Sequence, residues 1–236
     1  MNRPRKAQGA ERMDAARSVV TIDGPSGAGK STAARLLARR LGYLYVDTGA
    51  MYRAVALAAS RARVTPHDDA ALAVLCEGLN IELAAAGGGG LRVVLNGEDV
   101  SAAIRRPEIG NLASAVSARL PVREALWRLQ RELGASGRAV FEGRDTGTVV
   151  LPWARWKFFL TASPEVRAER RRAELAARGI AQRLEEVLSE MQARDSADSR
   201  RALAPLKPAE DALIIDSSHL AAEEVVARML AVMEAS

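Results

Sequence analysis

Eight consecutive residues near the start of the chain, Gly24-Pro-Ser-Gly-Ala-Gly29-Lys30-Ser31, have the types and spacing to hold phosphate. Glycines let successive backbone N–H groups converge on an anion, a lysine brings a mobile cation to β and γ phosphates, and a serine hydroxyl can ligate Mg²⁺. The apolar run before them, 18–22, reads as a strand and the stretch after them, 31–41, as a helix. This is the context that the G-x-x-x-x-G-K-S pattern requires. Lys30 is one of only 4 lysines among 34 basic residues, so compositional drift accounts poorly for its position. The expectation is a nucleoside triphosphate site built from Gly24, Pro25, Ser26, Gly27, Ala28, Gly29, Lys30, Ser31 and Thr32, with Ser31 the protein's ligand to Mg²⁺.

Two further motifs pair arginine with acid. Asp47-Thr48-Gly-Ala-Met-Tyr52-Arg53 follows an apolar run at 43–46, and Glu142-Gly-Arg144-Asp145-Thr-Gly-Thr148 follows another at 139–141. In an open parallel sheet, ligands sit beyond the carboxyl ends of the strands, so both motifs belong beside the phosphate loop. Two arginines next to a triphosphate point to a second anion. A guanine-reading N-K-x-D is absent. Leu213-Ile-Ile-Asp216 resembles the run ending in a Mg²⁺-holding Asp in many ATPases, but no acid follows to polarise water, which favours a plain strand-end role for Asp216.

The elements that must position these residues are legible from hydrophobic patterning. Short apolar bursts at 18–22, 43–46, 139–141, 156–160 and 212–215 read as strands buried on both faces of a parallel sheet. Helical stretches at 31–41, 50–60, 122–133, 164–178, 181–194 and 220–233 alternate with them. Ser163-Pro164 is a cap followed by a first-turn proline, and Ser217-Ser218 offers a cap for the last helix. The predicted fold class is α/β: a P-loop, doubly wound, parallel five-stranded core. Residues 79–103, with alternating apolar positions, a glycine run at 87–90 and Asn96-Gly97, break the rhythm and read as a small antiparallel β insert.

Composition narrows the function. The chain has 236 residues, 48% of them hydrophobic, and no apolar run approaches the roughly 18 residues of a membrane span. Its net charge of +5 hints at a polyanion. Residues 1–17, expected to be a disordered tail, hold five of the basic and two of the acidic side chains, and aromatic residues are only 4%, which leaves few stacking platforms for nucleic acid. A single cysteine, Cys76, suits a reducing compartment and reads as a buried small hydrophobe. The two histidines, His67 and His219, are expected at the surface.

The chain resembles the bacterial cytidylate kinases of the nucleoside monophosphate (NMP) kinase group. The stretches that carry the resemblance are I-D-G-P-S-G-A-G-K-S-T, D-T-G-A-M-Y-R, N-G-E-D-V-S, V-R-E-A-L, E-G-R-D-T-G-T-V-V, R-D-S-A-D-S-R-R and A-P-L-K-P-A-E-D-A-L-I-I-D-S, in order across nearly all of 18–236. Mild departures are Thr48, where Ser is common, and Glu142, where Asp is also seen. The resemblance implies a core (18–48, 122–166 and 187–236), an NMP-binding domain (49–121) carrying the β insert, and a short helical lid (167–186). It also implies ATP as donor with Mg²⁺, CMP or dCMP as acceptor, and a cytoplasmic enzyme that needs no membrane or nucleic acid; a monomer is the default.

By the same resemblance, Arg53 and Arg144 would hold the acceptor phosphate, with Arg194 reaching into the closed site. Thr48 would lie at the base edge, and Ser114 and Asp198 at the ribose. Lys30 and the lid arginines would stabilise the transferring group; of Arg167, Arg170, Arg171 and Arg172, the favoured ones are Arg170 and Arg171. Glu165, Glu169 and Glu174 are interleaved with that run, so a solvated face is the competing reading. A reader of cytosine needs an acceptor for N4 and donors for N3 and O2, which Asp145 with Arg123 or Arg201 provides; uracil would place a carbonyl against the same carboxylate, a mismatch of about 1–3 kcal/mol. A phosphate monoester has its second pKa near about 6, so the acceptor is a dianion at neutral pH and needs no general base. Two alternatives remain open at this level: an NMP kinase using UMP or AMP, and a nucleic-acid-associated P-loop ATPase.

Overall fold

The computed structural model describes residues 18–86 and 90–235. The basic tail at 1–17 and most of the glycine run lie outside the described residues. In chain order the strands are β1 (Val19–Asp23), β2 (Leu44–Asp47), β3 (Ile81–Ala86), β4 (Gly90–Leu95), β5 (Glu98–Asp99), β6 (Ala139–Gly143), β7 (Trp156–Thr161) and β8 (Leu213–Asp216). The helices are α1 (Lys30–Leu41), α2 (Thr48–Ala62), α3 (Asp69–Glu77), α4 (Pro107–Val116), α5 (Leu120–Ala135), α6 (Pro164–Ala176), α7 (Leu184–Arg200) and α8 (Ala222–Glu234).

The five bursts form one parallel sheet in the order β2-β6-β1-β7-β8. Every residue of β1 and β6 is buried, as continuous apolar runs in a doubly covered sheet require. One face packs Val20, Ile22, Val140 and Phe158 against α1 and α8; the other packs Val19, Val46 and Phe141 against α2 and α5. The register sets Asp23 beside Gly143, and Asp47 beside Glu142, so the carboxyl ends of β1, β2 and β6 lie level. Both acid-arginine motifs therefore open at the same edge as the phosphate loop. The insert is an antiparallel sheet in the order β3-β4-β5, with Leu91, Val93 and Leu95 turned into the core beneath α2.

Four expectations need correction. The last strand is not buried on both faces: β8 is a sheet edge, with Leu213 and Ile214 exposed, because nothing pairs beyond it in the sheet order. The helix expected at 181–194 starts at Leu184 and continues to Arg200, where Arg194 and Asp198 fall one turn apart. Ser217 and Ser218 do not cap α8. Its N-cap is Ala221, whose N–H is taken by Glu224, while the Ser218 hydroxyl donates to Asp216 and the Ser217 hydroxyl to the Ala28 carbonyl. Finally, α3 and α4 are additional to the six helical stretches expected, Asp68 capping the first and Pro107 opening the second. His67 and His219 are exposed and Cys76 is buried. Among the described residues no helix is long and apolar enough to cross a membrane.

Candidate functional site

The chain leaves β1 through a loop of three positive-φ glycines, of which Gly24 and Gly27 matter most. Gly24 adopts φ +146, and a Cβ there would stand 1.9 Å from the Leu160 carbonyl oxygen. At Gly27, φ is +74 and a Cβ would meet the Arg167 backbone at 2.9 Å. Only glycine permits the loop to lie this close to β7 and α6. The loop ends at Gly29, which caps α1 without a side-chain bond, so the helix presents its first N–H groups as an anion site.

Behind the loop lies a carboxylate cluster. Ser31 Oγ donates to Glu142 Oε2 at 2.8 Å, the Tyr45 hydroxyl donates to Glu142 Oε1, and Thr48 Oγ1 donates to the Glu142 carbonyl at 2.7 Å. Burial raises the Glu142 pKa, and neighbouring Asp47 raises it further, while Lys30, Tyr45 and Ser31 oppose the rise. Lys30 Nζ donates to the Pro25 carbonyl at 2.6 Å. Burial pushes the Lys30 pKa down to about 7, with Arg144 and Arg194 acting in the same direction and Glu142 and Asp23 against it. Asp23 is itself raised by burial, though the N–H groups of Thr146 and Gly147 and the Thr146 hydroxyl all donate to it. It ties the end of β1 to the turn after Asp145.

These residues open into a cleft of about 1320 Å³. Of the residues expected at the site, it is lined by Ser26 through Thr32, Thr48, Arg53, Ser114, Arg123, Arg144, Asp145, Arg170, Arg171, Arg194, Asp198 and Arg201. Gly24 and Pro25 are not lining residues; they shape the loop from behind. Asp47 accepts from the Ala50 N–H at 2.8 Å, capping α2, and also pairs with Arg53 at 2.9 Å. Asp145 pairs with Arg123 at 2.9 Å, both side chains being buried. Asp198 lies between Arg144, at 3.2 Å, and Arg201, at 3.7 Å. Arg194 stands beside Arg144, and its pKa is lowered first by burial and then by that charge.

The arginines of α6 divide by role. Arg167 is buried and anchors the phosphate loop to the core: it donates to the carbonyls of Ala162 and Ser26 and pairs with Asp195. Arg170 donates to the Ser217 carbonyl at 2.7 Å and Arg171 to Glu174 at 3.1 Å, both at the cleft wall. Arg172 is exposed and lies off the cleft. Asp216 is bonded to the N–H and hydroxyl of Ser218, and it too lies off the cleft.

Sequence reasoning missed several wall residues. Tyr52 lines the cleft with a buried hydroxyl that has no partner, its ring 5.6 Å from the Arg123 guanidinium. Its place next to Arg53, in a motif already singled out, was the available signal. Asp47 and Glu142 head the two motifs already placed beside the loop, without a role of their own, and Tyr45 was visible only as part of the apolar run at 43–46. Arg178, two residues beyond the end of α6, also lines the cleft and carried no local mark.

A parallel sheet with a glycine loop at the end of its central strand, and a basic second pocket in the same cleft, defines a P-loop nucleotide-binding protein equipped for phosphoryl transfer. Comparison with known proteins agrees: the cytidylate kinase family model matches residues 20–235, and the chain belongs to that family. The cytidylate kinase of Geobacter sp. strain M21 is 57% identical over 211 residues, covering 89% of this chain and 90% of that one. The cytidylate kinase of Pasteurella multocida is 46% identical over 216 residues, covering 92% and 95% respectively. Among solved structures, an uncharacterized protein from Eubacterium ventriosum aligns with a TM-score of 0.50 at 10% identity, over 92% of this chain and 99% of that one, a likeness of fold alone.

Proposed function

We propose that the chain transfers the γ-phosphoryl group of ATP to CMP or dCMP, giving ADP and CDP or dCDP. The observation that carries this reading is the buried Arg123–Asp145 pair in the same cleft as the phosphate loop. Around it, Tyr52 Oη, Arg123 Nε and Arg201 Nε are buried without partners, a costly arrangement that a planar polar ligand relieves. Asp145 accepts from cytosine N4 while Arg123 and Arg201 donate to its acceptors, with Thr48 at the base edge. Ser114 and Asp198 receive the ribose. Arg53, Arg144 and Arg194 bind the acceptor phosphate, their planar forks matching its oxygens bidentately. Residues 49–121 serve as the acceptor-binding domain and 167–186 as the lid.

In-line transfer brings two anions together, so most of the barrier is a matter of position and charge. Lys30, Arg144, Arg170 and Arg171 stabilise the transferring group, and closure of the lid excludes water, which strengthens each of those contacts. Since the acceptor is already a dianion, no residue need take a proton. The donor set at the loop fits Mg²⁺, a hard cation that takes oxygen ligands: Ser31 offers a hydroxyl oxygen, and the Glu142 carboxylate lies within hydrogen-bond reach of it. Ser31 would hold the ion, which when bound neutralises charge on the β and γ phosphates. We place the reaction in the cytoplasm, which a single cysteine suits, and take a monomer as the default.

An ATP-coupled assay of ADP release, offered CMP, dCMP, UMP, AMP or no acceptor in parallel, tests the reading. Turnover with CMP and dCMP well above UMP and AMP is expected. Activity that ignores every monophosphate and depends on added RNA or DNA would refute it.

A further inference from the structure

One face of α5 carries Arg123, Trp127 and Arg131 at successive four-residue steps. The Trp127 ring lies between the two guanidiniums, with its centroid 5.5 Å from Arg123 and 5.8 Å from Arg131. Each arginine grips one end of the same π-type turn, Thr146–Val150. Arg123 bonds to Asp145, immediately before it. Arg131 Nε donates to the Val150 carbonyl and Nη2 to the Val149 carbonyl, both at 3.1 Å, at its far end. The turn closes on itself through N–H bonds from Val149 and Val150 to the Asp145 carbonyl. Helix, ladder and turn thus form a ring with Asp145 at its mouth.

Tryptophan is the informative choice at the middle of that ladder. Its indole N–H is buried without a partner among the described residues, so hydrogen bonding does not account for it, and leucine or phenylalanine would supply apolar bulk without that cost. What an indole offers beyond bulk is the strongest aromatic face for a cation. Arg123 has need of one. Its side chain is 1% exposed, and among the described residues it donates a single hydrogen bond, to Asp145. A guanidinium so sparsely bonded is steadied by its rings, Trp127 at 5.5 Å and Tyr52 at 5.6 Å, with donors still free for a ligand.

We propose that Trp127 is a positioning residue for acceptor selectivity: through the Arg123–Trp127–Arg131 ladder it sets the angle of the Arg123–Asp145 pair toward the base. This rests on the reading of that pair as the base reader. Tyr52 braces Arg123 from α2, whereas Trp127 contacts both Arg123 and Arg131 and so couples the pair to the grip on the far end of the turn.

The test compares the parent with Trp127→Leu, which removes the aromatic face, and Trp127→Phe, which keeps a weaker one. In Trp127→Leu, KM for CMP should rise about tenfold and the preference for CMP over UMP should fall about fivefold, with kcat and the KM for ATP within about twofold of the parent. Trp127→Phe should recover most of both losses. A Trp127→Leu enzyme with the parent's CMP/UMP ratio overturns the proposal, as does a Phe variant no better than Leu with ATP binding equally impaired, since simple packing would do that. Should Trp127→Leu fail to fold, the Phe variant carries the same comparison at smaller amplitude. A second arm is independent of turnover: in a Trp153→Phe/Trp156→Phe chain, the emission of Trp127 should change as CMP is titrated, because Arg123 stacks on its ring. Unchanged emission at saturating CMP overturns the ladder. A parent that does not distinguish CMP from UMP refutes the base reading instead, and the ladder is then judged on the fluorescence arm.

Discussion

Lys30 Nζ closes on the carbonyl of Pro25 at 2.6 Å, so the phosphate-loop lysine holds its own loop in shape until an anion arrives. The ammonium is dry, flanked by Arg144 and Arg194, and held against Glu142 and Asp23. A cation kept in that state meets developing charge with little water to rearrange. Lys30→Ala should therefore lower kcat by about 10³ while changing the KM for CMP by no more than about threefold. Steady-state kinetics with CMP varied would measure both; a loss under tenfold would show that the lysine does not stabilise the transferring group.

The depressed pKa of Lys30 makes a second, thermodynamic claim on the ligand-free protein. A lysine whose folded pKa is about 7 binds fewer protons in the folded chain than in the unfolded one between about pH 7 and the ordinary lysine range. The cost of its buried charge is fully present below pH 7 and is relieved as pH rises above it. Lys30→Met carries no such cost. Urea unfolding of the metal- and nucleotide-free proteins should show the Met variant's advantage shrinking from pH 6 to pH 9; an advantage that grows with pH would reverse the assignment.

Asp145→Asn keeps one acceptor oxygen for Arg123 but replaces the other with a donor. Discrimination of CMP over UMP should fall about tenfold, with the KM for ATP unchanged. Unaltered selectivity, measured as the ratio of kcat/KM values, would remove Asp145 from base reading.

Asp198 lies between Arg144 and Arg201, from residues 54 apart in one case and 3 in the other. Asp198→Ala leaves two crowded guanidiniums without their shared counter-charge. The KM for CMP should rise on the order of tenfold or more, and calorimetric titration with ATP should be close to that of the parent. Loss of ATP affinity to the same degree would mean that Asp198 supports the whole cleft, not the acceptor side.

Gly24→Ala tests the loop's close approach. Its Cβ would fall 1.9 Å from a carbonyl oxygen of β7, and the φ of +146 is strained for any L side chain. A destabilisation of roughly 3 kcal/mol or more is expected, read as a lower urea midpoint. A variant as stable as the parent would mean that β7 gives way easily at Leu160.

Much of the site was open to a reader of the chain, and the residues show why. Gly24, Gly29, Lys30 and Ser31 work through local geometry, a strand, a tight turn and a helix start, all written within a dozen residues. Arg144 and Asp145 follow β6 directly and Arg53 lies in the first turns of the helix that starts where β2 ends, so reading five parallel strands was enough to bring them to one edge. Spacing on α7 would also have aligned Arg194 with Asp198, had the helix been drawn to its true end. By contrast, α3 and α4 were overlooked because each is short, nine and ten residues, and the near-uniform apolar run of α3 gives no contrast between a buried and an exposed face.

Local sequence therefore determined the shape of the loop and the place of Lys30 in it, because the loop's backbone depends on its own glycines. The partners were decided by tertiary structure. Ser31 meets Glu142 across 111 residues, Arg123 meets Asp145 across 22, and Arg131 holds the far end of the same turn, only because β6 lies between β1 and β2 and α5 packs on the turn that follows it. Side-chain pairing depends on which strands become neighbours, and no spacing along the chain encodes that order; packing of the whole core selects it.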